Sequence, residues 1–251
     1  MNRLLYISLS LFLSFSLCSQ DGWEMLFNGK DFSNFEQLNG KAIYKAENGE
    51  MIGISVPNTP NSFLVTKKTY RDFILEFEVL IENGLNSGVQ FRSLSTPEYK
   101  NGRVHGYQCE IEMSPRKWAG GVYEEGRRAW LYPLSRNEQA RNAFISGEWN
   151  HYRIEAIGPH IRTWVNNIMC VNLLDDMTLE GFIAFQVHSI RKELEGKTVR
   201  WKNVRIKTTD LEAARKSVDK SIPEISNLNN RLTEDEKRKG WRLLWDGKTT
   251  K

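Results

Sequence analysis

Between residue 23 and about residue 207 the sequence predicts an all-β fold, a sandwich of two antiparallel sheets. Three observations carry that expectation. Short runs alternate apolar and polar residues at period two: Phe73-Ile-Leu-Glu-Phe-Glu-Val79, Tyr152-Arg-Ile-Glu-Ala156, Ile161-Arg-Thr-Trp-Val165 and Val199-Arg-Trp-Lys-Asn-Val-Arg-Ile206. That period marks a strand with one face buried. Turn-forming residues separate the runs at Glu47-Asn-Gly49, Glu82-Asn-Gly84, Gly158-Pro159 and Asn166-Asn167. No helical periodicity intervenes, so the strands must bury their apolar faces against a second sheet.

Ahead of this region, residues 1–20 read as a secretory signal peptide. Met1-Asn-Arg3 gives a positive start, Leu4 to Leu17 carries no charge, and small residues precede Gln20-Asp21. The apolar run is too short and wrongly flanked to span a membrane. A secreted or periplasmic protein beginning near Asp21 is the expectation. Lipoprotein anchoring through Cys18 is the lesser alternative, because the bulky Leu17 precedes it. Only Cys109 and Cys170 remain beyond that segment, too few for a disulfide framework, so a hydrophobic core must hold the fold. The formal net charge is +4, with no block of Lys and Arg interleaved with aromatics. Charge therefore gives no sign of a nucleic-acid partner. No later stretch is long and apolar enough to form a transmembrane span.

Three of the strand-like stretches gather polar residues on one side. They are Gly88-Val-Gln-Phe-Arg92, Tyr107-Gln-Cys-Glu-Ile-Glu112 and Ala184-Phe-Gln-Val-His188. Alternation puts Gln90 with Arg92, Gln108 with Glu110 and Glu112, and Gln186 with His188. A wet sheet face explains such a pattern in part. Amides, carboxylates, a guanidinium and an imidazole with so little Lys, Ser or Thr between them point to a site. His188 can act as a base near neutral pH or bind a metal. With Glu110 it makes a weak pair for a divalent metal ion, since no His-x-x-x-His or Cys-x-x-Cys spacing supports a firmer one.

The densest stretch spans residues 104–131. Glycines at 120, 121 and 126 permit tight turns among Tyr123, Glu124, Glu125, Arg127 and Arg128, a mixture suited to hydrogen-bonding a polyhydroxylated ligand. Trp118 or Trp130 offers a flat apolar face for a sugar ring, with Trp130 the more readily explained as core. Glu110 and Glu112 stand roughly 6.6 Å apart along a strand, within the range of glycosidase carboxylate pairs.

Residues 133–147 are polar and non-alternating, and read as a long loop with one helical turn. After Lys207 the pattern changes to a charged, helical linker over 210–239, in which Thr233-Glu-Asp-Glu236 fits a capping box. Finally, Gly240-Trp-Arg-Leu-Leu-Trp-Asp-Gly-Lys248 repeats Gly22-Trp-Glu-Met-Leu-Phe-Asn-Gly-Lys30 with five of nine positions identical. This reads as the start of a second domain copy at 240–251, expected to be disordered or docked, in a tandem-domain protein.

With the opening 22–30 motif, Asn86-Ser-Gly-Val-Gln-Phe-Arg92, Gly106-Tyr-Gln-Cys-Glu-Ile-Glu112, Gly121-Val-Tyr-Glu-Glu125, Gly147-Glu-Trp-Asn150 and Ile183-Ala-Phe-Gln-Val-His188 follow in order. In this ordered set the chain resembles the 3-keto-disaccharide hydrolase family, also described as 3-keto-glucoside 1,2-lyase/3-keto-2-hydroxy-glucal hydratase. The resemblance implies a concanavalin A-like jelly roll over residues 21–209 and an oxidised glycoside as substrate. The implied chemistry is C2 proton abstraction, loss of the C1 glycosidic oxygen, and hydration of the resulting glucal. It needs a base, an enolate stabiliser and an acid. Strand parity offers His188 or Glu110 as base, and Arg92 or a bound divalent metal for the enolate. Gln90, Gln108, Glu112, Gln186, Trp118, Tyr123, Glu124 and Arg127 are then the substrate-binding candidates. A non-catalytic glycan-binding module is the alternative. An ordinary β-glucanase comes third, because sandwich glucanases carry Glu-x-Asp-x-x-Glu and the last position here is Pro115.

Overall fold

The computed structural model describes residues 22–245 and 247–249, so the predicted signal peptide at 1–20 lies outside the described residues. In chain order the strands are β1 (Trp23–Met25), β2 (Phe35–Asn39), β3 (Ile43–Glu47), β4 (Glu50–Ile54), β5 (Ser62–Thr66), β6 (Phe73–Ile81), β7 (Asn86–Leu94) and β8 (His105–Glu112). They continue with β9 (Val122–Glu125), β10 (Ala129–Tyr132), β11 (Asn150–Ile157), β12 (His160–Val165), β13 (Ile168–Leu174), β14 (Phe182–Val187), β15 (Thr198–Lys207) and β16 (Ile225–Ser226). Two short helices, α1 (Leu211–Ala214) and α2 (Glu234–Arg238), flank β16 in the chain.

One sheet runs β10-β9-β8-β7-β14-β5-β2. The other runs β16-β13-β12-β11-β6-β15-β4-β3, with β1 beside β15. Every strand pairing except the parallel β13–β16 contact is antiparallel. Strands distant in sequence, such as β7 and β14 or β6 and β15, are neighbours, which is the double crossing of a jelly-roll sandwich. The predicted turns recur where the sequence puts them. Asn48 and Gly49 close β3–β4, and Asn166 and Asn167 close β12–β13, all at positive φ, the geometry of tight hairpin turns.

Period-two alternation builds the core. On β6, Phe73, Leu75, Phe77, Val79 and Ile81 face inward, while Glu76 and Glu78 of the same strand bond Arg153, Arg205 and Asn203 on the outer face. Phe77 stacks on Tyr152 at 5.2 Å and meets Phe185 edge-on at 6.4 Å, and Phe185 meets Trp201 at 5.4 Å. Each such buried side chain contributes roughly 1.5–3 kcal/mol, and the two buried cysteines are free thiols.

The 133–147 segment contains two 3₁₀ turns rather than one, Leu134–Arg136 and Glu138–Asn142. Leu134, Ala140 and Ala143 join the core, and Asn137 donates to Met169 O and Cys170 O. This long loop closes one end of the sandwich. The 210–239 region supplies the expected helices only at α1 and α2. The chain between them is pinned across the sandwich: Arg153 donates to Ala214 O, Tyr132 to Pro223 O, Asn227 to Asp175, and Ile222 enters the core. The capping box is formed, with Glu236 N–H donating to Thr233 Oγ1 and Thr233 N–H to Glu236 Oε2. The repeated tail packs differently from its first copy. Leu26 and Phe27 are 8% and 2% exposed, whereas their counterparts Leu244 and Trp245 are 97% and 51% exposed. Among the described residues no helix is long and apolar enough to cross a membrane.

Candidate functional site

The outward face of the β10-to-β2 sheet divides into two halves. Toward β5, Phe63, Val65, Phe182 and Ala184 form a small apolar cluster sealed by Val104 of the β7–β8 loop. Asn39 holds that loop down: its side-chain N–H donates to Gly102 O and its Oδ1 accepts from Val104 N–H. Toward β8 the face is polar. Tyr107, Cys109 and Ile111 of β8 point into the core, as do Val89 and Phe91 of β7 and Phe185 of β14. Alternation therefore turns Gln108, Glu110, Asn86, Gln90 and Gln186 outward.

Glu110 is the centre of this half. It is 4% exposed, its Oε1 accepts from Asn86 Nδ2 at 2.6 Å, and its Oε2 accepts from Gln108 Nε2 at 2.9 Å. Gln108 is oriented in turn, because its Oε1 accepts from both Gln90 Nε2 at 2.5 Å and Gln186 Nε2 at 3.0 Å. The three glutamines thus form a relay that leads to the carboxyl group. Gly88 makes room for it: a Cβ there would lie 2.4 Å from Gln108 Cδ. Burial raises the Glu110 carboxyl to about 7, and Glu112 adds to the rise, against the lowering pull of the two amides and Arg116. A carboxyl poised there can both take and return a proton near neutrality.

Arg116 stands beside it, its NH2 3.6 Å from Glu110 Oε1. The guanidinium lies 5.0 Å from the Trp118 ring and 4.9 Å from the Trp130 ring, and its Nε donates to both oxygens of Glu112. Glu112 also accepts from Ser114 Oγ and Trp118 N–H. It thus acts as the latch that shapes the 113–118 turn and aims Arg116. Trp130 and Tyr123, 5.3 Å apart and edge-on, complete the wall. Together Glu110, Gln108, Asn86, Arg116, Tyr123 and Trp130 line a hollow of about 400 Å³. His188 and Glu125 line the same hollow and also a larger one of about 620 Å³ next to it. His188 is half-buried, and its Nδ1 lies 2.7 Å from Ser189 O. A carbonyl only accepts, so Nδ1 carries the hydrogen and Nε2 is left for exchange.

Several sequence-based expectations change here. Arg92 does not share the face of Gln90. The β7 register slips between Phe91 and Leu94, Arg92 has φ +46, and its fully buried guanidinium donates to Arg71 O, Gly158 O and Asp72. A bulge reverses parity, and Arg92 ties loops together at the sandwich edge. Glu124 and Arg127 also leave the site. On the short strand β9, Val122 and Glu124 point in while Tyr123 and Glu125 point out. Glu124 is fully buried against Arg127 and Arg128, and Arg128 reaches Asp175. Trp118 packs against the core behind Trp130, which is the ring that lines the hollow. Glu112, locked by four donated bonds, is no second carboxylate for a glycosidase pair. Gln90 and Gln186 are buried and act on Gln108 rather than lining a hollow themselves. Glu110 and His188, the weak metal pair, do meet in one hollow. Among the described residues no group of three or more His, Cys, Asp or Glu is disposed to hold a metal. Asn86 and Arg116 are the site residues that the sequence reading left out of its candidates. Alternation identifies Asn86, whereas Arg116 lies in a turn that no periodicity describes.

Comparison with solved structures supports the architecture. A candidate glycosyl hydrolase from Parabacteroides distasonis superposes with a TM-score of 0.55 at 21% identity, covering 76% of this chain and 95% of its own. A second from the same organism gives 0.52 at 19%, covering 74% and 98%. A Bacillus subtilis protein of galectin-like fold gives 0.50 at 12%, covering 70% and 90%. No curated protein matches the chain in sequence. Residues 22–207 match the 3-keto-alpha-glucoside-1,2-lyase-like domain, a carbohydrate-active family. Over the whole jelly roll and its polar cleft, the chain belongs to the 3-keto-alpha-glucoside-1,2-lyase-like domain family.

Proposed function

We propose that this domain cleaves 3-keto-glycosides by β-elimination and hydrates the product. The observation that carries the reading is Glu110, a buried carboxyl held at about 7 in an open cleft with Arg116 beside it. A ketone at C3 acidifies the C2 hydrogen. Glu110 in its ionised form takes that proton, and the C2–H electron pair becomes the enolate, its oxygen charge facing the Arg116 guanidinium. The enolate collapses, restoring the C3 carbonyl and forming C1=C2 as the C1–O bond breaks. The leaving oxygen takes its proton from Nε2 of the doubly protonated His188 ring. Water then adds across C1=C2, its hydroxyl going to C1 and its proton to His188 Nε2, while Glu110 returns its proton to C2, for net hydrolysis with both residues restored.

Asn86 and the glutamine relay hold the Glu110 carboxyl in one orientation, which limits the reorganisation it undergoes as its charge changes. Tyr123 and Trp130 supply rings for the sugar's apolar face. The proposal also takes the domain as exported, on the strength of residues 1–20, and leaves a divalent metal at Glu110 and His188 to direct test. A purely glycan-binding role is the second reading, favoured by the Trp130 and Tyr123 rings beside the Asn86 amide. Product analysis with a 3-keto-disaccharide and its unoxidised parent, each with and without chelator, separates the two. The elimination reading expects glucal and free 3-keto-glucose from the oxidised sugar only, lost in Glu110→Gln. Binding without turnover of either sugar would overturn it.

A further inference from the structure

The hollow of about 620 Å³ is larger than the one around Glu110 and opens into it at Tyr123, Glu125 and His188, which line both. Its chemistry is different. Phe63 and Tyr123 give it rings, Asn61 and Asn101 give it amides, and Lys100 and Arg103 give it two cations against the single carboxylate of Glu125. Arg103 NH2 lies 2.7 Å from Glu125 Oε1, so those two charges neutralise each other. Lys100 is left over. Its ammonium donates to Gly126 O at 2.9 Å and lies 5.1 Å from the Tyr99 ring centre, and among the described residues no carboxylate pairs with it.

This wall is preformed. Besides the Asn39 clamp, Ser95 Oγ donates to Gly102 O and Tyr99 OH to Gly126 O. The β7–β8 loop is therefore tied at both ends and in its middle. A ligand meeting the hollow finds Lys100 already in place, and loop ordering subtracts little from affinity.

From this we infer that the larger hollow is a subsite for the leaving group, and that it favours a sugar bearing one carboxylate, a uronic acid. The inference rests on reading the Glu110 hollow as the reaction centre. The glycosidic oxygen then lies at the junction, next to His188, and the leaving sugar extends toward Lys100. One surplus cation matches one carboxylate.

The test uses the full chain with two 3-keto-disaccharides that differ only in the leaving sugar, glucose or glucuronic acid. At low ionic strength the uronide should show a KM about two- to fivefold lower at similar kcat, the scale of an exposed ion pair. The advantage should shrink at high salt and vanish in Lys100→Gln, in which the two substrates should share one KM. Equal KM values, or an advantage that survives Lys100→Gln, overturn the inference. Should neither substrate turn over, the reaction reading fails by itself. Calorimetric affinities for the unoxidised pair of disaccharides then decide the subsite on the same two- to fivefold expectation.

Discussion

Replacing Glu110 by Gln should stabilise this protein above neutral pH while abolishing turnover. The carboxyl is raised from 4.5 to about 7 because the folded protein buries it without full compensation. The sign follows from proton binding. Between pH 4.5 and 7 the folded state holds a proton that the unfolded state has released, so stability falls as pH rises through that window. Each unit is worth about 1.4 kcal/mol, so the ionised carboxylate costs the fold about 3 kcal/mol once pH exceeds 7. Glutamine is isosteric with the protonated acid and carries no charge. Gln108 cannot turn over to meet a new N–H, because its Oε1 already accepts from Gln90 and Gln186. Asn86 can, and its carbonyl then accepts the glutamine N–H. Melting curves of parent and variant from pH 4.5 to 9 check this. The two should coincide near pH 4.5 and diverge toward pH 8, the variant melting higher by about 5–10 °C for a domain of this size. A pH-independent difference, or a variant that loses stability as pH rises, would refute the account of Glu110 as an uncompensated buried acid.

Three further outcomes follow from the same geometry. Arg116→Met removes a cation that lowers the Glu110 carboxyl, so the rise of kcat/KM with pH should shift above pH 7 and kcat should fall about a hundredfold, read from pH–rate profiles. Arg92→Met orphans Arg71 O and Gly158 O and should lower stability by about 3 kcal/mol in denaturant titration, yet leave kcat per folded molecule intact. Loss of activity without loss of stability would return Arg92 to the site. Gly88→Ala drives a Cβ into Gln108 and should cut kcat at least tenfold with a smaller change in melting temperature, seen by comparing kinetics with thermal unfolding.

The fold was legible in the sequence because alternation and turn chemistry are local signals that packing reinforces. The inward sets of β6 and β8 can be read from the apolar period alone, and Asn48-Gly49 announces its hairpin. The site was legible where its strands are regular: Gln90, Gln108, Glu110 and Gln186 share a face as alternation requires. It failed where regularity breaks. Arg92 follows a bulge that a period-two count cannot detect, and Arg116 occupies a turn whose geometry depends on Glu112 reaching forward to it. Glu124 is a different failure. Alternation from Val122 already pairs Tyr123 with Glu125, and Glu124 is buried because Arg127 and Arg128 neutralise it there.

The division of labour between Glu110 and Glu112 shows how one strand builds a site from two like residues. Both side chains point outward, two positions apart, and both are almost fully buried. Glu112 receives the Arg116 Nε at 2.9–3.0 Å, a backbone N–H and a hydroxyl, so its charge is spent on holding a turn. Glu110 receives only two neutral amides and a guanidinium NH2 at 3.6 Å. A single arginine, shared unequally, thus fixes one carboxylate as structure and leaves the other poised to exchange a proton. Moving Arg116 closer to Glu110 would lower that carboxyl and weaken it as a base. Removing Arg116 would strand the negative charge of the enolate. The aromatic clamp of Trp118 and Trp130 therefore sets a distance as well as a contact, and that distance is what a base working near neutrality requires.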